Sequence, residues 1–197
     1  MKRILTLIFF LPVLCSAQDT PNKPKRFEVW ASVGVGNRFD TKKPDYKYSE
    51  IGSYYFVNTK YTPDFSLRAG IAVNKSVHFG LSASMASMYY EHWSEGNFYG
   101  TPFLRFGLYG KYTPRFGKLS PYICGSVSLA HLPLEYPEIE GRYNGISYGA
   151  DIGIKYSIVT RLAITAGAQL SYISVRKEMQ SLYFYQKGVS VGLILSL

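Results

Sequence analysis

Apolar and polar residues alternate along most of this chain, and the period of the alternation is two. The C-terminal segment KGVSVGLILSL shows the pattern clearly, because an aliphatic side chain stands at every second position. These positions are Val189, Val191, Leu193, Leu195 and Leu197. A period of two puts alternate side chains on opposite faces of a β-strand, so the segment predicts a strand with one wholly apolar face.

Eight segments of this kind follow one another, and none has a charged residue on its apolar face. They cover 27–35, 65–73, 77–89, 104–112, 121–129, 146–156, 162–172 and 189–197. The connections 74–76, 113–120 and 157–160 are short, whereas 36–62, 90–102, 130–145 and 173–187 are long and polar. Short turns at one end and long loops at the other are typical of membrane β-barrels, whose short turns are periplasmic.

The face opposite the apolar one decides between a membrane barrel and a soluble barrel with an apolar interior. On the third segment this face reads Gly80, Ser82, Ser84 and Ala86. A surface in water would be rich in Lys and Glu, whereas the narrow interior of eight strands requires small side chains. The pattern therefore predicts an all-β, eight-stranded antiparallel up-and-down barrel with its apolar face in lipid.

Tyrosines support this orientation, since on the apolar face they stand near the strand ends. They are Tyr89, Tyr112, Tyr148, Tyr156 and Tyr172. Tyrosine used only as a strand former would be scattered along the strands. Placement at the ends predicts the aromatic girdle of a membrane barrel.

The N-terminal segment MKRILTLIFFLPVLCSAQ has two cations, an apolar stretch and small residues before Gln18. This layout predicts a signal peptide over 1–17, cleaved after Ala17, and a barrel domain over 18–197. Cys15 raises lipoprotein processing as an alternative, but Leu14 stands where that signal requires a small residue. Cys124 is then the only cysteine left, so we expect no intramolecular disulfide.

The formal net charge of +9 raises nucleic acid as a partner, and it falls to +7 once Lys2 and Arg3 are removed with the leader. The cations are spread through loop-like stretches rather than clustered, and export separates the chain from nucleic acid. We therefore expect no nucleic-acid partner.

Six charged residues fall on the predicted inward face: Glu28, Arg68, Arg105, Lys111, Asp151 and Lys155. Charges enclosed in a narrow barrel are costly unless they are paired. We expect a network centred on Asp151, with Arg68 and Arg105 as its partners, that plugs the lumen. The competing interpretation is that unpaired cations line a narrow anion-selective path.

The leader ending in SAQ, the single barrel and the alternating last strand resemble the outer-membrane β-barrel domain family common in Bacteroidetes. That family is loosely grouped with the outer-membrane protein A and X type barrels, often labelled porin-like. The resemblance implies location in the cell outer membrane and contact with its lipid and lipopolysaccharide. It also implies that the barrel-assembly machinery reads the last strand, although Leu197 replaces the terminal aromatic which that machinery prefers.

Catalytic chemistry has little support in the sequence. Some eight-stranded barrels deacylate or palmitoylate lipid A at the outer rim, and only His131, followed by Glu135 and Glu138, suits such a position. His78 is predicted near a periplasmic turn and His92 in a loop. No metal-ligand spacing, phosphate loop or nucleophile elbow is present, so we expect no enzyme, no metal and no cofactor.

Two non-enzymatic roles remain open. One is a structural or binding barrel whose long extracellular loops contact another protein, lipopolysaccharide or a surface, and the other is a narrow channel. The loops are rich in aromatics at 46–56, 89–100 and 181–186. These aromatics either form a recognition surface or cover the top of the barrel.

Overall fold

The computed structural model describes nine β-strands within residues 27–40, 54–55, 62–92, 98–114, 116–134, 141–177 and 180–197. The strands are β1 Phe27–Asp40, β2 Tyr54–Tyr55, β3 Thr62–Ala72, β4 Val77–His92, β5 Phe98–Tyr112, β6 Leu119–Leu134, β7 Gly141–Val159, β8 Leu162–Lys177 and β9 Gln180–Ser196. Within these ranges no helix is long and apolar enough to cross a membrane. The predicted signal peptide at 1–17 lies outside the described residues.

Eight of the strands form one closed antiparallel barrel, and the two-residue β2 extends the sheet beside the outer end of β4. Each barrel strand pairs with the next, and β9 closes the ring by pairing with β1 as well as β8. At the seam the amide of Leu197 donates to the carbonyl of Phe27 over 2.8 Å. The predicted eight-stranded up-and-down barrel is confirmed.

The pairing of the strands shows that they are strongly tilted to the barrel axis. A path that passes from each residue to its partner on the next strand does not return to its starting residue after one circuit of the barrel. Following the pairs from Val29 through β3–β9 leads back to Phe39, ten residues further along β1. A stagger of this size over eight strands corresponds to a tilt of about 40° from the barrel axis.

Exposure alternates along each strand in the sense opposite to that of a soluble protein. On β5, for example, Leu108 is 63% exposed and its neighbour Tyr109 is 2% exposed. The large exposed side chains on the barrel wall are mostly aliphatic or aromatic, whereas Ser, Gly and the paired charges point inward. Such a wall suits hydrocarbon, where a membrane barrel presents an apolar band about 25 Å tall.

Three of the four predicted long loops are largely strand. Residues 90–102, 130–145 and 173–187 are polar in composition, yet β4–β9 continue through most of them. The physical reason is that the alternation continues there with its phase inverted. On β8, Leu170 faces outward within the apolar band, but further along the strand Ile173 and Val175 face inward and Arg176 outward.

The same inversion occurs on the neighbouring strands. Among the described side chains, the large inward apolar residues of this outer region are Phe103, Leu132, Tyr143, Ile173, Val175 and Phe184, each at most 2% exposed. An apolar interior with a polar exterior is the arrangement for water, so the barrel continues beyond the membrane as a soluble-type structure.

The orientation of the wall predicts the effect of an outward charge. Val191 lies on β9 near the middle of the apolar band and is 58% exposed. We expect Val191→Arg to lower the free energy of unfolding in lipid vesicles by about 2–4 kcal/mol, measured by urea titration. Val191→Leu, at the same position, is expected to match the wild type. Equal stability of all three proteins would mean that this face does not contact lipid.

Candidate functional site: the barrel lumen

The half of the lumen nearer the short turns is built around the indole ring of Trp30. Arg68 on β3 donates from Nη2 to Oδ2 of Asp151 on β7 over 2.5 Å, and its guanidinium carbon lies 4.3 Å from the centroid of the Trp30 ring. The indole Nε1 donates to the hydroxyl of Thr165 over 3.2 Å. All four side chains are buried, so the ion pair bridges β3 and β7 across the interior.

A second ion pair lies closer to the short turns. The ammonium group of Lys111 on β5 binds a carboxylate oxygen of Glu28 on β1. The other oxygen of Glu28 is 3.4 Å from Nε2 of His78 on β4. Lys111 Nζ also lies 5.3 Å from the centroid of the Trp30 ring. The two cations Arg68 and Lys111 are therefore both within cation–π distance of the same indole ring.

Two tyrosines fill the space that remains around the indole. The ring of Tyr122 meets Trp30 edge to face at 5.3 Å between centroids. Its hydroxyl lies over Gly153 and Gly167, where an added Cβ would come within 2.8 and 2.4 Å of that oxygen. The glycines therefore leave the room that this tyrosine needs to lie against β7 and β8. Tyr109 lies over Gly70 in the same way.

A third ion pair joins β5 and β3 further from the short turns. Arg105 donates from Nη2 to Oδ2 of Asp64 over 2.5 Å and from Nη1 to the hydroxyl of Ser171 over 3.3 Å. The side-chain amide of Gln186 donates to the same Asp64 oxygen over 2.9 Å. Asp64 therefore ties three other strands, β5, β8 and β9, directly or through Arg105.

These contacts change the predicted network in two respects. Arg105 was expected to pair with Asp151, but the two lie at different levels and Arg105 binds Asp64. Asp64 was not among the predicted lumen residues, although it has the same inward parity as Ser66 and Arg68 on β3. Lys155 is half-buried between Ser120 and Thr165 in the register and makes no ion pair with the part of the chain that the structure describes.

The residues packed around the indole are called the Trp30 cluster: Trp30, Arg68, Asp151, Lys111, Glu28, Tyr109 and Tyr122. Small side chains occupy the level between this cluster and Asp64. They include Ser66, Ser82, Ser84, Ser126 and Ser190, with Gly34, Gly107 and Gly149 on neighbouring strands. Ser32 and Ser66 share a hydrogen bond of 2.6 Å across β1 and β3. Above Asp64 come the buried apolar residues of the phase-inverted region. The lumen thus has a charged aromatic level, a small polar level and an apolar level.

On the outer wall the predicted girdle residues Tyr112, Tyr148 and Tyr156 are exposed, between 40% and 51%. Tyr172 is half-buried because its ring contacts those of Tyr183 and Tyr185, at 6.5 and 5.2 Å between centroids. The side chain of Tyr89 lies outside the described part of the chain. The apolar positions of the last strand, Val189, Val191, Leu193, Leu195 and Leu197, are all exposed on the same wall.

His131 faces outward near the outer end of β6, and its Nδ1 lies 2.7 Å from the side-chain oxygen of Asn144 on β7. Glu135 and Glu138, the acids considered with it for rim catalysis, lie outside the described residues. His92 likewise has no described side chain. Among the described residues, the partner of His131 is therefore the side-chain amide of Asn144.

No protein-family model and no curated protein matches the chain. Solved structures do match. The chain is similar to Neisserial surface protein A, with a TM-score of 0.64 and 15% identity over 86% of this chain and 96% of that chain. For OprG from Pseudomonas aeruginosa the TM-score is 0.54, with 10% identity over 89% and 97% of the two chains.

AlkL, solved in lipid bilayers, is similar at a TM-score of 0.51 and 11% identity, over 91% of this chain and 96% of that one. At these identities the likeness shows the fold alone. The closed ring, the apolar wall and this likeness together define an eight-stranded outer-membrane β-barrel.

The Arg68–Asp151 pair predicts a characteristic pattern of stability changes. We expect Asp151→Asn and Arg68→Met each to lower the free energy of unfolding by about 3–5 kcal/mol, because each leaves one buried charge without its partner. The double variant is expected to lose less than the sum of the two. Urea titration in vesicles measures all three.

Lys155→Met provides the control, since it removes an inward cation that has no described ion-pair partner. Its effect is expected to be smaller than that of either single variant. Additive effects in the double variant would show that Arg68 and Asp151 do not depend on each other.

Proposed function

We propose that this protein is a structural or binding barrel of the outer membrane whose lumen is closed to solutes. The observation that carries the proposal is that two different closures lie in series along the lumen. The first is the Trp30 cluster in the periplasmic half, and the second is the apolar level at the extracellular end.

A single strand shows the order of the levels. Inward positions along β5, from the periplasmic end, are Lys111, Tyr109, Gly107, Arg105 and Phe103. Lys111 and Tyr109 belong to the first closure and Phe103 to the second, with Gly107 at the small polar level between them. Solute would have to displace buried ion pairs at one end and a packed apolar layer at the other, so we infer that neither opens spontaneously to a wide pore.

The second candidate function is a narrow channel, and one observation favours it. The hydroxyls of Tyr109 and Tyr122 and the amide nitrogen of Gln169 are buried without a hydrogen-bond partner among the described residues. Buried polar groups of this kind are commonly satisfied by water. If water is bound at these groups, only small movements at the two closures would be needed to connect the two sides.

If the lumen is closed, the working part of the protein is its extracellular end and outer wall. The proposed partners are outer-membrane lipid and lipopolysaccharide, a protein bound at the extracellular loops, and the barrel-assembly machinery during insertion. We also propose that the chain belongs to the Bacteroidetes-type barrel family, that residues 1–17 are a signal peptide and that the protein is not an enzyme. A lipid A-modifying rim enzyme built on His131 is the less favoured alternative, since the described partner of His131 is the amide of Asn144.

Planar-bilayer recording tests the two closures. We expect silence from the wild type, from Phe103→Ala/Phe184→Ala and from Tyr109→Ala/Tyr122→Ala, because each double variant retains one closure. Any conductance is expected to be highest in the quadruple variant, because it alone loses aromatic rings from both closures. Heat-modifiable gel mobility serves as the folding control for every variant. A large, stable conductance from the wild type would replace the closed barrel with the channel.

Export and processing are tested by fractionation. We expect the protein in the outer-membrane fraction. Its mass is expected to be that of a mature chain that begins at Gln18. Recovery as a soluble periplasmic protein would contradict the membrane barrel, and a lipidated N-terminal cysteine would contradict cleavage after Ala17.

A further inference from the structure

The outer wall carries a polar cluster at the extracellular boundary of its apolar band. His131 on β6, Asn144 on β7 and Arg176 on β8 are register partners, and all three face outward. Arg142 lies two residues from Asn144 on the same face of β7. Arg142 and Arg176 are both exposed and are diagonal neighbours across two strands, which places their backbones about 7–8 Å apart.

An apolar groove leads to this cluster across the outside of the barrel. Its volume is about 1130 Å³, and its lining spans β1 and β3–β7 between two rows of outward side chains. One row includes Phe65, Met85 and Leu104 and ends at His131 and Asn144. The other row contains Phe106 and Leu129 and ends at Ile146. Because the strands are tilted, the groove runs obliquely through the apolar band.

The depth of the cluster follows from the change in pattern along β6 and β7. Among the side chains that the structure describes on these strands, Leu129 and Ile146 are the last exposed aliphatic ones, and the next outward positions are His131 and Asn144. Beyond them Leu132 and Tyr143 turn inward. The two arginines therefore lie where hydrocarbon gives way to lipid headgroups in the outer leaflet.

We propose that this cluster and groove bind a phosphorylated glycolipid of the outer leaflet, the lipid A part of lipopolysaccharide. The inference rests on the proposed extracellular position of this end of the barrel. Arginine presents a planar set of donors that matches phosphate, and two arginine side chains are long enough to reach one phosphate group together from backbones at this distance. An acyl chain of the same molecule lies in the groove, so charge and apolar contact act on one ligand.

Native mass spectrometry of the folded protein in detergent, titrated with diphosphoryl lipid A, tests the proposal. We expect one lipid A per barrel, with binding weakened at least tenfold by Arg142→Gln/Arg176→Gln. The matched control Lys118→Gln/Arg161→Gln removes the same charge from exposed residues of the periplasmic turns and is expected to leave binding unchanged. Ala83→Phe fills the groove without altering the arginines, and we expect it to weaken binding as well.

Equal binding by the two double variants would overturn the proposal. Retention of fully dephosphorylated lipid A as tightly as the diphosphoryl form would also overturn it, because the headgroup would then not be recognised. Inorganic phosphate that competes at the same concentration as lipid A would show a simple anion site instead of a lipid site. Heat-modifiable mobility of each variant separates these outcomes from misfolding, and failure of the closed lumen would appear only in the bilayer recordings.

Discussion

In hydrocarbon every backbone amide must find its hydrogen-bond partner within the protein, since neither water nor lipid tails can supply one. The pairing of β9 with β1 meets this requirement, and other features of the barrel depend on it. Its register sets the stagger of ten residues between Val29 and Phe39, and the stagger sets the tilt and the width of the lumen. A slip of one residue at this seam would turn the apolar set of β9 toward the lumen.

A narrow lumen then decides which side chains can be enclosed. Glycine and serine line its middle, and the larger groups meet in combinations that satisfy one another, as Arg68, Asp151 and Trp30 do. Each ion pair joins strands that are not neighbours in the ring: β3 with β7, β1 with β5 and β3 with β5. These contacts join non-adjacent strands through the lumen at several levels, which the backbone ladder between adjacent strands cannot do.

The alternation of period two was sufficient to predict the eight strands, their faces and six inward charges, because a strand must alternate wherever its two faces meet different surroundings. The Arg68–Asp151 pair was predicted correctly, whereas strand length and the partner of Arg105 were not. Beyond the apolar band the period persists while the phase inverts, as from Leu170 to Ile173, so a search for outward apolar residues mistakes those segments for loops. The partner of Arg105 depends on depth, which is set by tilt and stagger together, and these follow only from the full set of pairings. Asp64 could have been found from its parity alone.

The seam between β1 and β9 joins the two barrel strands that are furthest apart along the chain. Loop-closure entropy must be overcome before this contact forms, so the ring closes late in folding. Until then the sheet has two open edges, each a row of unsatisfied amides and carbonyls that could pair with another copy of the chain. A half-assembled sheet of this kind is prone to aggregate in water. Because this pairing forms last, the two open edges of the unclosed sheet must be shielded from other chains until the ring is complete.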